Sequence, residues 1–202
     1  MKIALFGTSA DPPTIAHQEI IIWLASQFDR VAVWAADNPF KEHGASLMQR
    51  SQMLELLIGE VQPSIDTRAQ VYPNLSSRRT VETLSIAQTI WSDAKFTLTI
   101  GADLVTQLPK WYRIGELLSQ VDLLIVARDG NPIDKTDLDI LTNLGASISF
   151  APLTTPPVSS TIIRTIKSHH ITVDREIQGL TSAVAIYIQQ HSLYSKTSLV
   201  QK

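Results

Sequence analysis

The chain has 202 residues, no cysteine and a formal net charge of −2 at pH 7. The lack of cysteine excludes disulfides, thiolate metal sites and a cysteine nucleophile, and the near-neutral charge gives no electrostatic case for nucleic acid or an anionic membrane. A chain of this length suits one domain over 1–202. With no secretory signal and no apolar run of the roughly 18 residues that span a membrane, we expect a cytoplasmic protein.

The first twenty residues have the pattern of a strand, a tight loop and a helix. Lys2–Phe6 is a short apolar run typical of a buried strand, Gly7–Ser9 end it, and helical spacing of apolar residues starts near Thr14–Ala16. This arrangement predicts a phosphate cradle, because free backbone N–H groups and the positive end of the helix dipole face the space above the loop. Thr14 and His17 are three residues apart and face the same side of the first turn. An ordinary strand, turn and helix with Thr14 as N-cap explains the same residues, and neither a Walker A nor a Gly-x-Gly-x-x-Gly loop is present.

Strands and helices then alternate along the chain. We predict further strands over Arg30–Ala36, Ser64–Val71 (more polar and nearer an edge), Phe96–Ile100, Val121–Ala127 and Ala146–Ala151. We predict helices after Ser46, from Thr80, over Pro109–Leu118 and Asp137–Leu144, after Ser159 and over Thr181–His191. The alternation indicates an α/β fold with a Rossmann-like, doubly wound parallel sheet and helices on both faces. Residues of about 1–155 would form this core, and about 156–195 a small helical C-terminal part.

Polar side chains collect in the loops that follow the strands, where an open parallel sheet binds its ligands. These loops carry hydrogen-bond donors, cations, one ribose-type carboxylate and one flat aromatic ring: Thr8, Ser9, Asp11, Thr14, His17, Asn38, Lys41, Arg78, Arg79, Thr80, Gly101, Asp103, Trp111, Ser159, Ser160, Thr161 and Arg164. The sequence has no Ser-His-Asp set, no carboxylate pair at acid–base spacing and no metal cage. The set suits a bound polyphosphate with a base better than hydrolysis through a covalent intermediate.

Arg164 lies one turn inside a helix that Ser159 or Ser160 can cap. A cation at this end is unfavourable for the helix dipole by a few tenths to about 1 kcal/mol, which favours a bound anion there. For Lys41 a solvated loop, and for Trp111 a place in the core, remain open alternatives. We expect the other tryptophans to pack in the core and the other histidines to lie at the surface: Trp23, Trp34, Trp91, His43, His169, His170 and His191.

Two stretches resemble the signatures of the nucleotidyltransferase superfamily. Gly7–His17 resembles the (His/Thr)-x-Gly-His loop, and Val158–Arg164 resembles the Ile-Ser-Ser-Thr-x-x-Arg motif. The chain is most similar to bacterial nicotinate mononucleotide adenylyltransferases, over nearly its whole length. The supporting stretches are Asn38–Lys41, Thr80–Leu84, Ile100–Asp103, Trp111 and Tyr187–Tyr194. The chain departs from the family pattern at three places: Thr14 replaces histidine, Ala16 replaces glycine, and Arg78-Arg79-Thr80 replaces the Ser-Tyr-Thr that usually meets the nicotinate carboxylate.

This resemblance implies an adenylyltransferase that joins nicotinate mononucleotide and ATP to give nicotinate adenine dinucleotide and pyrophosphate in NAD biosynthesis. It implies catalytic roles for His17, Thr14, Lys41 and Arg164, ATP binding by Gly7, Thr8, Ser9, Gly101, Asp103, Ser159, Ser160 and Thr161, and binding of the pyridine nucleotide by Arg79, Thr80 and Trp111. It also implies Mg²⁺ carried by the ATP phosphates, small-molecule substrates as partners, and no nucleic acid or membrane; a homo-oligomer is compatible with it. Nicotinamide mononucleotide or phosphopantetheine as the acceptor, and a non-catalytic nucleotide sensor of the same fold, remain alternatives.

Overall fold

Six parallel strands form one sheet in the computed structural model, which describes residues 1–38, 41–127, 133–153, 155–156, 158–167 and 179–195. The strands are β1 (Lys2–Thr8), β2 (Arg30–Ala35), β3 (Ala69–Val71), β4 (Lys95–Gly101), β5 (Asp122–Val126) and β6 (Ser147–Ala151). Their order across the sheet is β3-β2-β1-β4-β5-β6. The order reverses between β1 and β4, so the carboxyl ends of these two strands form the crevice in which a doubly wound sheet binds its ligand.

Helices cover both faces of the sheet. They are α1 (Ile15–Gln27), α2 (Leu47–Ile65), α3 (Thr80–Ile90), α4 (Ile114–Leu118), α5 (Lys135–Asn143), α6 (Ser160–Lys167) and α7 (Ser182–Gln190). Short 3₁₀ turns lie at Pro73–Leu75, Ala102–Leu104 and Leu108–Lys110. The predicted Rossmann-like α/β fold is confirmed.

The sheet separates two hydrophobic cores. Alternate residues of β1 enter different cores: Ala4 and Phe6 pack with α1, α2 and α7, whereas Ile3 and Leu5 pack with α3 and α4. Because both faces are covered, the central strands are apolar at successive positions and not only at alternate ones. No helix in the described ranges has both the length and the apolar character needed to cross a membrane.

Two predicted elements differ from the structure. The predicted strand over Ser64–Val71 is wrong in its first part, because α2 continues through Pro63 and brings the Ile65 side chain, 4% exposed, into the first core. Only Ala69–Val71 is a strand, and it lies at the edge of the sheet as predicted.

The predicted helix over Pro109–Leu118 is also wrong as one element. It is divided into a 3₁₀ turn and α4, and Arg113 between them has a left-handed backbone with φ of 54°. This break allows Leu108 and Ile114, on either side of it, both to be buried in the second core.

Candidate active site

The candidate site lies where β1 and β4 end. Thr8 is the last residue of β1, and Gly101 ends β4 immediately before the turn that carries Asp103. A Cβ atom on Gly101 would lie 2.5 Å from Oδ1 of Asp103, so glycine permits the carboxylate to sit against this strand end. Gly7 has a similar restriction, because a Cβ atom there would lie 2.5 Å from Cζ2 of the buried Trp34.

Thr14 orients the imidazole of His17 at the start of α1. Thr14 is the N-cap and is fully buried, and its backbone N–H donates to Nδ1 of His17 at 3.1 Å. The Thr14 hydroxyl oxygen lies 2.9 Å from the same nitrogen. A backbone N–H can only donate, so Nδ1 is an acceptor and a neutral His17 carries its proton on Nε2. The predicted pair of hydroxyl and imidazole is therefore in contact through Nδ1. The other ring nitrogen, Nε2, is the one that can donate to a ligand.

The second signature docks onto the proline-rich part of the first. Ser160 Oγ donates to the carbonyl of Pro12 at 2.8 Å, and Ser159 Oγ accepts from the N–H of Ile162 at 3.2 Å, as the N-cap of α6. Arg164 donates from Nη1 to the carbonyl of Asp11 and from Nη2 to the hydroxyl of Thr161 at 3.2 Å. The fold thus brings together two stretches that are more than half the chain apart.

A buried carboxylate lies beneath this junction. The Asp11 side chain accepts from the N–H groups of Gly44 at 2.8 Å and Ala45 at 3.1 Å, and from the Tyr194 hydroxyl at 2.7 Å. Nη1 of Arg164 and Nδ1 of His43 each lie 3.7 Å from its Oδ2 atom. We call Asp11, His43, Gly44, Arg164 and Tyr194 the Asp11 cluster.

The expectation that His43 lies at the surface is wrong, because its side chain is only 14% exposed against Asp11. Burial and the neighbouring Arg50 lower the pKa of His43, although Asp11 alone would raise it. His191, in contrast, is exposed at the end of α7 as expected, and His169 and His170 lie outside the described residues.

Arg50 is a buried cation that the sequence interpretation missed. Its side chain donates from Nη1 to the carbonyls of Ser9 at 2.7 Å and Ala36 at 2.9 Å, and so joins the segments that follow β1 and β2. Burial lowers the pKa of this guanidinium. The sequence did contain a signal for the burial of Arg50, because this residue is three positions after Leu47 and four before Leu54, on the apolar face of α2.

The residues predicted to hold the pyridine nucleotide lie after β2 and β3 and near α4. Lys41 is exposed, and Thr80 and Trp111 are half-buried, Trp111 against the second core. The Arg79 guanidinium stacks on the exposed ring of Tyr112, 3.9 Å from its centroid, and lies 3.9 Å from the Glu82 carboxylate. Tyr112 was not predicted from the sequence, because a cation–π partner so far along the chain leaves no local pattern. A shallow cavity of about 430 Å³ lies elsewhere, near Lys95 and Asp122 at the amino ends of β4 and β5.

The chain matches known proteins over nearly its full length. Residues 5–166 match the model of the cytidylyltransferase-like family. A Synechocystis protein with the name "probable nicotinate-nucleotide adenylyltransferase" is 45% identical over 207 residues, which cover 96% of this chain and 99% of that protein. A Gemmatimonas aurantiaca protein of the same name is 31% identical, with 96% and 92% covered. The solved structure of Plasmodium falciparum nicotinic acid mononucleotide adenylyltransferase complexed with NaAD has a TM-score of 0.80 over 96% of this chain and 97% of that one, at 18% identity, and shows the likeness of the fold.

Proposed function

The chain belongs to the cytidylyltransferase-like family and, within it, to the nicotinate-nucleotide adenylyltransferases, and from this premise we infer its reaction. It joins nicotinate mononucleotide to ATP and gives nicotinate adenine dinucleotide and pyrophosphate, a step of NAD biosynthesis. It is a nucleotidyltransferase, and ATP is its co-substrate. The observation that carries this conclusion is the 45% identity to the Synechocystis protein from end to end.

We propose that the reaction needs no protein base. The 5′-phosphate of the mononucleotide is already a competent nucleophile at neutral pH. One of its oxygens forms a bond to the α-phosphorus of ATP, and the bond from that phosphorus to the β-phosphate bridging oxygen breaks, releasing pyrophosphate. Catalysis then rests on positioning and on stabilising the charge that develops on the phosphate oxygens.

We propose that His17 supplies the main donor in the transition state. Its Nδ1 accepts from the Thr14 N–H, so Nε2 carries the proton that can be directed at the α-phosphate. Thr14 is fully buried and acts by holding the imidazole. A donor that is already in place before the reaction does not have to reorganise when charge develops, so its stabilising effect is not reduced by that cost.

We propose that the leaving pyrophosphate is held by α6. Arg164 would contact the β- and γ-phosphates, with Ser159, Ser160 and Thr161 at the start of the helix. This proposal is supported by the docking of Ser160 on Pro12 and of Arg164 on Asp11, which places the positive end of α6 beside the first loop. Gly7, Thr8 and Ser9 would line the path of the phosphates, because they form the end of β1 and the start of this loop.

We propose that the two nucleosides lie on either side of this phosphate path. Asp103 and Gly101, at the end of β4, would hold the adenosine ribose, with the carboxylate accepting from its hydroxyls. Lys41 would lie near the mononucleotide phosphate. Thr80 and Trp111 would frame the pyridine ring, and Arg79, held by Tyr112 and Glu82, would meet the nicotinate carboxylate.

We propose that Mg²⁺ enters as part of the Mg·ATP substrate. In the described part of the chain, no three histidine, aspartate or glutamate side chains come together as a set that could hold a metal ion. Phosphate oxygens are ligands that Mg²⁺ prefers, so the ion would neutralise charge on the triphosphate. The single domain over 1–202, its cytoplasmic location and a homo-oligomer stay predictions.

The His17→Ala variant tests this assignment. Removing one positioned transition-state donor typically costs about 2.7–4 kcal/mol, so we expect kcat for pyrophosphate release to fall roughly 10²–10³-fold. The matched control is His191→Ala, which removes an exposed imidazole at the end of α7 and should leave kcat within about twofold. Near-normal turnover in a folded His17→Ala protein would contradict the role of His17.

A further inference from the structure

We propose, on the basis of the reaction above, that Tyr194 is a positioning residue for Arg164 and acts through the Asp11 carboxylate. The C-terminal turn after α7 would then belong to the ATP site, although Tyr194 is 183 residues from Asp11 in the chain. None of the roles proposed above uses Tyr194 or the side chain of Asp11.

Tyr194 is built into the site and not merely near it. Its side chain is 6% exposed, and its hydroxyl donates to Oδ1 of Asp11 at 2.7 Å. Its ring lies directly over the backbone of Gly44, where a Cβ atom would approach ring atoms Cδ1 and Cε1 to 2.8 Å. The same Cβ atom would lie 3.6 Å from Cδ of Arg164, so Tyr194, Gly44 and Arg164 pack as one unit.

The hydrogen bonds to Asp11 determine how strongly the carboxylate attracts Arg164. Three neutral donors share the carboxylate: the Tyr194 hydroxyl and the Ala45 N–H at Oδ1, and the Gly44 N–H at Oδ2. Nη1 of Arg164 stays 3.7 Å from Oδ2 and donates to the Asp11 carbonyl instead. The Arg164 side chain is 32% exposed and can turn toward a phosphate.

Loss of the Tyr194 hydroxyl would leave the Asp11 carboxylate with one hydrogen-bond donor fewer and would strengthen its attraction for Arg164. Oδ1 would keep the Ala45 N–H alone, and a buried carboxylate that lacks a donor seeks another. The two cationic or titratable side chains already near Oδ2 are Arg164 and His43. A closer pair between Asp11 and Arg164 would compete with the ATP polyphosphate for the guanidinium. The Tyr194 hydroxyl therefore keeps Arg164 available to ATP.

The test compares Tyr194→Phe with Tyr187→Phe. Tyr187 is the matched control because it lies on the neighbouring helix α7 and its hydroxyl donates to Gln52 of α2 at the surface. The dissociation constant of Mg·ATP is measured by titration calorimetry with no mononucleotide present. Loss of a hydrogen bond to a charged group predicts a Kd about tenfold higher in Tyr194→Phe and a change below about twofold in Tyr187→Phe. An unchanged Kd in Tyr194→Phe would overturn the proposal.

A double-mutant cycle separates positioning from a general loss of stability. If the hydroxyl acts through Arg164, adding Tyr194→Phe to an Arg164→Gln protein should change kcat/KM for ATP by less than about twofold. An equal loss in both backgrounds would show that Tyr194 serves the fold alone and would overturn the proposal. If the wild-type protein released no pyrophosphate but bound Mg·ATP, the proposed function would fail, and the calorimetric comparison would still decide the role of Tyr194.

Discussion

The contrast between His17 and His43 shows what residue spacing can and cannot predict. The spacing of three between Thr14 and His17 at a helix start predicts their contact, and in the structure the backbone N–H and the hydroxyl of Thr14 both meet Nδ1 of His17. No comparable pattern surrounds His43, which lies in a polar loop. Its burial depends on Asp11, 32 positions earlier, and such a long-range pairing leaves no local signal.

The environment of His43 makes the stability of the fold depend on pH. Burial, Arg50, Lys41 and Arg164 lower its pKa, against the opposing effect of Asp11, whereas the unfolded chain keeps the ordinary value of 6.5. Below that value the unfolded state binds more protons than the folded state, so the free energy of unfolding decreases as the pH falls through this window. Above it the contribution of His43 is fully present.

We therefore expect the His43→Gln substitution to make the free energy of unfolding depend less on pH below about pH 7. The free energy of unfolding of the wild type should fall faster between about pH 7 and pH 5 than that of the variant, by no more than about 1.4 kcal/mol per pH unit, the limit for one proton. Urea unfolding at several pH values measures this difference. His191→Gln serves as the exposed control and should follow the wild type. Parallel profiles for the wild type and His43→Gln would contradict the account of His43.

At the scale of elements, a local rule predicted where α2 begins but not where it ends. Ser46 is the N-cap of α2, and its hydroxyl accepts from the N–H of Gln49 as a cap should. The end of α2 is decided by packing, because burial of Ile65 in the core outweighs the helix-breaking tendency of Pro63. The apolar spacing of α2 alone does not show that Ile65 is buried, because that burial depends on the rest of the core.

Two glycines in and beside α2 should respond in opposite ways to alanine. Gly59 is exposed within the helix, and a Cβ atom there would have no neighbour within 4 Å, so Gly59→Ala should raise the free energy of unfolding by about 0.5–1 kcal/mol. Gly44→Ala would place its Cβ 2.8 Å from the Tyr194 ring, and such overpacking typically costs about 1–3 kcal/mol. Urea unfolding of both variants measures whether the free energy of unfolding rises in Gly59→Ala and falls in Gly44→Ala. A Gly44→Ala protein as stable as the wild type would contradict the close packing of Tyr194.

At the scale of the whole molecule, the alternation of strands and helices predicted the parallel sheet, and the edge formed by the carboxyl ends of its strands is where we propose that the chemistry takes place. The two signatures were predicted to share a site, and the parallel sheet brings them together through Ser160 on Pro12 and Arg164 on Asp11. The sequence did not predict that Tyr194 and Arg50 hydrogen-bond to the loop segments at this edge. Their partners are backbone carbonyls and one carboxylate in distant segments, and these contacts follow from the tertiary fold.

The most direct test of the account is pyrophosphate release from Mg·ATP with nicotinate and nicotinamide mononucleotides measured side by side. We expect strong preference for the nicotinate form, and conversion of that preference toward equal use in an Arg79→Gln variant, because the guanidinium would meet the nicotinate carboxylate. Equal use of both mononucleotides by the wild type would contradict the role of Arg79. No release with either, in a protein that binds Mg·ATP, would contradict the central claim that this chain is a nicotinate-nucleotide adenylyltransferase.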